Sequence, residues 1–125
     1  MATRFKSVIA LLAAVAVVAT AACASDPASK ADTYYDLGEY ENAIQVYDKA
    51  IQLDPNNAGA YYLRGYSYFE LGQYRRAIQD YDLAIRLDSN YATAYGNRGI
   101  AYVLLGQHER AIQDFDKAIQ LNSED

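Results

Sequence analysis

The chain contains a single histidine and a single cysteine, so the side chains with the widest reactive repertoire are few. His108 sits in "GQHERAIQDFDKAIQLN", at the place that Tyr40 and Tyr74 hold in the similar phrases "GEYENAIQVYDKAIQLD" and "GQYRRAIQDYDLAIRLD". A general base needs a partner to orient it and a reacting proton within hydrogen-bond reach. No second player accompanies His108, and its position points to packing instead. Asp80, Asp82, Asp114 and Asp116 recur with the phrase, as the acids of a solvated outer helix face would. No Cys and His cluster offers soft metal ligands, and no glycine-rich loop offers a phosphate cradle. No catalytic residue, cofactor or metal is therefore expected.

Cys23 invites a different chemistry. The N-terminus reads "MATRFKSVIALLAAVAVVATAAC", with two cations, Arg4 and Lys6, ahead of an uncharged stretch from Val8 to Ala22. That stretch is shorter than the roughly 17 to 25 residues that span a bilayer core. Residues 1–22 are accordingly read as a signal peptide directing export. A lone cysteine in an exported chain has no internal disulfide partner, so another use is sought for it.

Positioning elements come from the repeated phrase, which returns at an offset of 34 residues both times. Ala43, Ile44, Tyr47, Ala50 and Ile51 recur at spacings of three and four, as one buried stripe of a helix requires. Asp26 and Pro27 suit a helix start, predicting a first helix over 27–37, and Gly38, Gly72 and Gly106 each break a helix pair. Three helix pairs result, over 24–57, 58–91 and 92–125. A pair of this length cannot bury its own apolar face, so each copy completes its neighbour's interior. Gly65 and Gly99 inside first helices imply close approach there, because glycine costs a helix about 1 kcal/mol relative to alanine. Tyr34, Tyr68 and Tyr102, with Tyr47, Tyr81 and Phe115, are expected to fill the remaining core.

Charge narrows the partners. The chain carries a formal −5, and without the cations of the N-terminal run 9 basic side chains face 16 acidic ones. Phosphate backbones need clustered Lys and Arg, so nucleic acid is not expected as a partner.

These residues resemble the tetratricopeptide repeat family. Its small residue falls on Ala31, Gly65 and Gly99, its tyrosine on Tyr34, Tyr68 and Tyr102, and its two alanines on Ala43, Ala50 and their equivalents in the next units. The proline expected in the turn after each unit is present as Pro55 but replaced by Ser89 and Ser123. The resemblance implies an all-α fold, three tandem helix-turn-helix repeats in a short right-handed α-solenoid, and binding of peptides or protein surfaces in a groove lined by first helices. One subfamily grips C-terminal carboxylates with cationic and amide side chains; the matching positions here are Ala28, Asp32, Leu63, Thr93 and Asn97, and the clamp is absent. In the implied groove, Tyr35, Tyr62, Tyr66, Phe69, Ile100 and Leu104 are the candidate partner-binding residues, with Asp32, Asp36 and Glu70 as acidic accents. The expected partner is an apolar or mildly basic protein segment. The other reading of those rings is that they pack against neighbouring first helices.

"TAAC", residues 20–23, also resembles the lipobox of bacterial lipoproteins, although Thr20 stands where that family prefers leucine. The resemblance implies lipid attachment at Cys23, a membrane anchor in the cell envelope facing the periplasm, and a domain held close to the bilayer. Ordinary signal cleavage, releasing a soluble periplasmic or secreted product, and an uncleaved anchor are the alternatives. Two functional classes follow: an adaptor or scaffold, and a self-assembling module. Ile112, Ile119 and Leu121 are expected to face water at the end of the array, where a homodimer through the C-terminal repeat would bury them.

Overall fold

Each copy of the phrase opens on a glycine, and the backbone requires it. Gly38, Gly72 and Gly106 have φ of +73°, +74° and +75°, the left-handed conformation that glycine adopts without steric cost. The next amide then closes back onto the preceding helix: Glu39 donates to the Tyr34 carbonyl at 2.8 Å, Gln73 to Tyr68 at 2.9 Å and Gln107 to Tyr102 at 2.8 Å. These bonds satisfy helix-end carbonyls and turn the chain into the second helix of each pair.

The computed structural model describes residues 27–124, which form six α-helices and no strand. They are α1 (Pro27–Asp36), α2 (Tyr40–Leu53), α3 (Ala58–Glu70), α4 (Tyr74–Leu87), α5 (Ala92–Leu104) and α6 (His108–Ser123). The first helix ends one residue before the expected Leu37. Helices pair as α1/α2, α3/α4 and α5/α6, and α2 and α4 also pack on the first helix of the following pair. The result is a three-repeat α-solenoid. The segment 1–22, read above as a signal peptide, and Cys23 lie outside the described residues, as does the Ala28 side chain.

The turns between pairs show how a missing proline is tolerated. Asp54 Oδ1 accepts the Asn56 amide at 3.1 Å, and Asp88 Oδ1 accepts the Asn90 amide at 3.0 Å. The aspartate organises the turn in both cases, whether Pro55 or Ser89 follows it.

Interior sharing is visible in named residues. Ala31, Ala43 and Tyr47 form a buried cluster in the first unit, and Leu63 of the second unit packs against it. Close approach accounts for the helical glycines: a Cβ at Gly65 would lie 3.0 Å from both Asp80 Cβ and Tyr81 Cε1, and one at Gly99 would lie 2.7 Å from Phe115 Cε1. Tyr47 and Tyr81 are buried as expected, whereas Phe115 is only half-buried.

The aspartates overturn the expectation of a uniformly solvated outer face. Asp80 and Asp114 are 3% and 5% exposed. Arg64 binds Asp80 through two charge-assisted hydrogen bonds of 2.8 and 2.7 Å and reaches the preceding unit's Asp48 at 2.8 Å. Arg98 repeats the arrangement with Asp114, at 2.8 and 2.6 Å, and with Asp82 at 2.7 Å. Burial raises the Asp80 carboxyl above its ordinary value against the pull of Arg64. The arginines, held by those carboxylates, are raised in turn. Each arginine thus ties the two helices of its own unit together and locks that unit to the one before it. Of the four aspartates only Asp116 is exposed and without an arginine partner among the described residues.

Candidate partner-binding face

The six candidate residues lie on first helices: Tyr35 on α1; Tyr62, Tyr66 and Phe69 on α3; Ile100 and Leu104 on α5. Rings connect the first two helices directly. Tyr35 meets Tyr66 edge-on, with centroids 5.4 Å apart, and Tyr66 lies 6.1 Å from Phe69 and 6.5 Å from Tyr62. Such pairs contribute about 0.5–1.5 kcal/mol each beyond the area they bury. The rings are half-buried, so packing against neighbouring helices accounts for one side of each and leaves the other open.

Tyr62 stands apart from the rest. Its hydroxyl accepts a hydrogen bond from Asn97 Nδ2 at 2.9 Å, and its ring lies 4.9 Å from Tyr91 and 5.9 Å from Tyr81. It therefore joins the second unit to the third. Tyr91 occupies the position at which Asn57 caps α3 by accepting the Ala60 amide at 3.0 Å; here the α5 side-chain cap is given up for a ring contact. On α5 the face becomes aliphatic and open, with Ile100 42% and Leu104 51% exposed.

Two tyrosines belong to this surface without having been foreseen there. Tyr40, at the start of α2, lies 5.8 Å from Tyr35, and Tyr74, at the start of α4, lies 5.3 Å from Phe69. Their recurrence 34 residues apart was the available signal. His108, third in that series, is exposed, which corrects the expectation that it packs: the first-helix residue in the register of Tyr35 and Phe69 is Val103, which offers no ring to stack on. An open depression at the loop edge, lined by Gly72 to Arg76 and Leu105, adjoins Tyr74.

Electrostatics separate the two ends. Burial, a hydrogen bond with Tyr66 and the charge of Glu70 raise the Tyr35 hydroxyl above its ordinary value. Tyr40 is raised by desolvation and then by Glu70. Tyr47 rises to about 12 through burial and then Asp32 and Asp36. Burial is the main cause in each case, and the carboxylates of Glu70, Asp32 and Asp36 add to it at the α1/α3 end. Among the described residues, no group of three His, Cys, Asp or Glu side chains could hold a metal, and no helix is long and apolar enough to cross a membrane.

Comparison with known proteins agrees with the architecture. Models of the TPR repeat match residues 31–72 and 65–106, and a model of the tetratricopeptide repeat matches 92–125. No curated protein sequence matches. Among solved structures, the first TPR of Spaghetti (RPAP3) bound to the HSP90 peptide SRMEEVD is similar, with 32% identity and TM-score 0.74 over 77% of this chain and 76% of that one. The second TPR domain of human RPAP3 in complex with the HSP70 peptide SGPTIEEVD shows 31% identity and TM-score 0.76 over 82% and 85%. MamA shows 26% identity and TM-score 0.75 over 79% of this chain and 60% of that chain. Shared turn glycines, small residues at the helix crossings and matches running from Ala31 to the last residue lead to one conclusion: this chain belongs to the tetratricopeptide repeat family.

Proposed function

We propose that this protein is an exported, lipid-anchored repeat scaffold that holds an apolar or mildly basic segment of a partner protein on its first-helix face. Its role as a protein-interaction scaffold follows from the family and from similar structures that hold peptides. The observation carrying the finer reading is the half-buried strip Tyr35, Tyr66 and Phe69, which leads to exposed Ile100 and Leu104 and is flanked by Asp32, Asp36 and Glu70. Aromatic anchors beside open aliphatic side chains suit an amphipathic helix or extended segment. The peptides in the similar structures end in EEVD. Here the positions of the carboxylate clamp hold no cation, and two of them, Thr93 and Asn97, are engaged with the Tyr62 hydroxyl. An acidic terminus is therefore disfavoured relative to a lysine-bearing segment.

Fluorescence anisotropy with two labelled peptides tests this: an amphipathic Lys/Leu helix and a peptide ending in EEVD. The basic peptide is expected to bind more tightly and to weaken about tenfold with Leu104→Glu, while the circular dichroism is unchanged. Tighter binding of the EEVD peptide, or indifference to Leu104→Glu, would overturn the reading. Anchoring through Cys23 places the scaffold in the cell envelope, facing the periplasm, and mass spectrometry of the mature protein tests it. A lipid mass on Cys23 is expected; a mature chain beginning after Cys23 would leave a soluble periplasmic or secreted adaptor instead.

A further inference from the structure

Three equivalent places under the first-helix face differ from unit to unit. In the third unit the Phe115 ring crosses α5 at Gly99, its Cε1 2.7 Å from where a Cβ would stand, and the face above carries Ile100 and Leu104. In the second unit Tyr81 makes the same crossing at Gly65, with Cε1 at 3.0 Å, and the face carries Tyr66 and Glu70. In the first, Tyr47 clusters with Ala31, and the face carries Asp32 and Asp36. The face thus runs from acidic to apolar along the array, and the tyrosine hydroxyls lie only under its acidic part.

Those hydroxyls are unsatisfied. Tyr81 and Tyr47 are 0% and 3% exposed, and neither hydroxyl has a hydrogen-bond partner among the described residues, so each loses its water with nothing returned. The Tyr81 hydroxyl is aimed through the crossing and not into the apolar core: the groups acting on it are Tyr62, Tyr66, Glu70 and Tyr35. Glu70 also acts on the Tyr35 and Tyr40 hydroxyls, and these rings meet edge-on, Tyr35 lying 5.4 Å from Tyr66 and 5.8 Å from Tyr40. Four hydroxyls therefore gather about one carboxylate between α1 and α3. Asp32, Asp36 and Glu70 are exposed and form no ion pair among the described residues.

We propose that the partner segment seats a lysine ammonium on Glu70, between α1 and α3, with the Tyr66 and Tyr81 hydroxyls as further acceptors, and lays its apolar residues toward Ile100 and Leu104. This rests on the first-helix face being the partner-binding surface, and it adds a place and a direction to that reading. An ammonium carries three donors on a flexible stem, which a carboxylate and two hydroxyls satisfy, while the surrounding tyrosine rings offer cation–π contact. The Tyr81 hydroxyl is closed to water in the free protein, so its bond forms as the exposed Glu70 side chain shifts onto the ammonium. An anionic group would meet three acids and no cation there.

The probes are two labelled helical peptides of leucine, alanine and glutamine with neutral capped ends, identical except that one carries a single lysine near one end and the other norleucine. Titrated into the full chain, the lysine peptide should bind about tenfold more tightly. Glu70→Gln should remove that preference and leave the norleucine peptide unchanged, and Tyr81→Phe, which keeps the ring, should reduce it about threefold. Carbodiimide coupling followed by mass spectrometry should join the lysine to Glu70. Equal binding of the two peptides overturns the proposal, as does a Glu70→Gln effect of the same size on both, or coupling to Asp116 on the outer face instead. Displacement of the lysine peptide by an equal concentration of a free alkyl diamine would assign the site to small amines and overturn it as well. Leu104→Glu separates the two levels: if both peptides still weaken with it, loss of the lysine preference overturns this inference alone, whereas indifference to it overturns the partner-binding reading too.

Discussion

Helices α4 and α6 carry nearly the same sequence, AIQDYDLAI at 77–85 and AIQDFDKAI at 111–119, yet they live in different surroundings. On α4, Tyr81 and Ala84 are fully buried and Asp82 is held by Arg98. On α6, Phe115 and Ala118 are half-buried, and Asp116 faces solvent. Both helices receive the same inner contact from the first helix of their own unit, through Arg64 to Asp80 and Arg98 to Asp114. They differ only in whether a following unit lies on top. Burial in a repeat array is thus assigned by the neighbour, and identical side chains carry different energetic weight along the chain.

The largest expected effect separates an arginine that bridges a junction from an acid with no arginine partner. Arg98→Ala leaves Asp114 buried without compensation and should cost about 3–5 kcal/mol. Asp116→Asn should change stability by less than about 0.5 kcal/mol, as other surface substitutions do. Urea unfolding of the two variants measures both, and comparable losses would break the contrast.

A smaller effect sharpens the contrast in packing. Gly99→Ala has the closer static clash, 2.7 Å to the Phe115 ring, but that ring is half-buried at the open end of the array. Gly65→Ala meets fully buried Tyr81 and the Asp80 backbone-proximal carbon. Gly65→Ala should therefore destabilise by about 1–3 kcal/mol. Gly99→Ala should fall nearer to neutral, because Phe115 has room to yield and alanine recovers about 1 kcal/mol of helix propensity. Thermal melts showing the reverse order would mean that exposure does not govern how far a ring yields.

The smallest effect concerns alkaline pH. Burial raises the hydroxyls of both Tyr47 and Tyr81. A group raised in the folded state contributes stability that is present below its unfolded value near 10 and lost as pH rises through the folded value, which is about 12 for Tyr47. Absorbance at a phenolate wavelength should show Tyr47 and Tyr81 ionising only as stability falls. Tyr81→Phe should flatten that loss. A single titration step for all tyrosines near their ordinary value would contradict it.

Much of this architecture could be read from short-range patterns. Gly38, Gly72 and Gly106 announced the hairpin turns because no other residue adopts that backbone cheaply, and Gly65 and Gly99 announced the close crossings. The aspartates were misread because a carboxylate three residues from a buried alanine, as in Ala77/Asp80 and Ala111/Asp114, looks the same in sequence whether water or an arginine covers it. The repeated arginines at 64 and 98, spaced like the aspartates they bind, were the overlooked signal. Tyr62 could not be distinguished from Tyr66 beforehand, since its commitment depends on Asn97, 35 residues away in the next unit.

The amino-acid sequence by itself set the period, the helices, their turns and the small residues where they cross, since these depend on backbone conformation and local spacing. Only tertiary structure decided which copy of each residue is core and which is surface. That outcome depends on what the next unit lays over it, and the same letters in the last repeat meet open space where the earlier ones meet a helix.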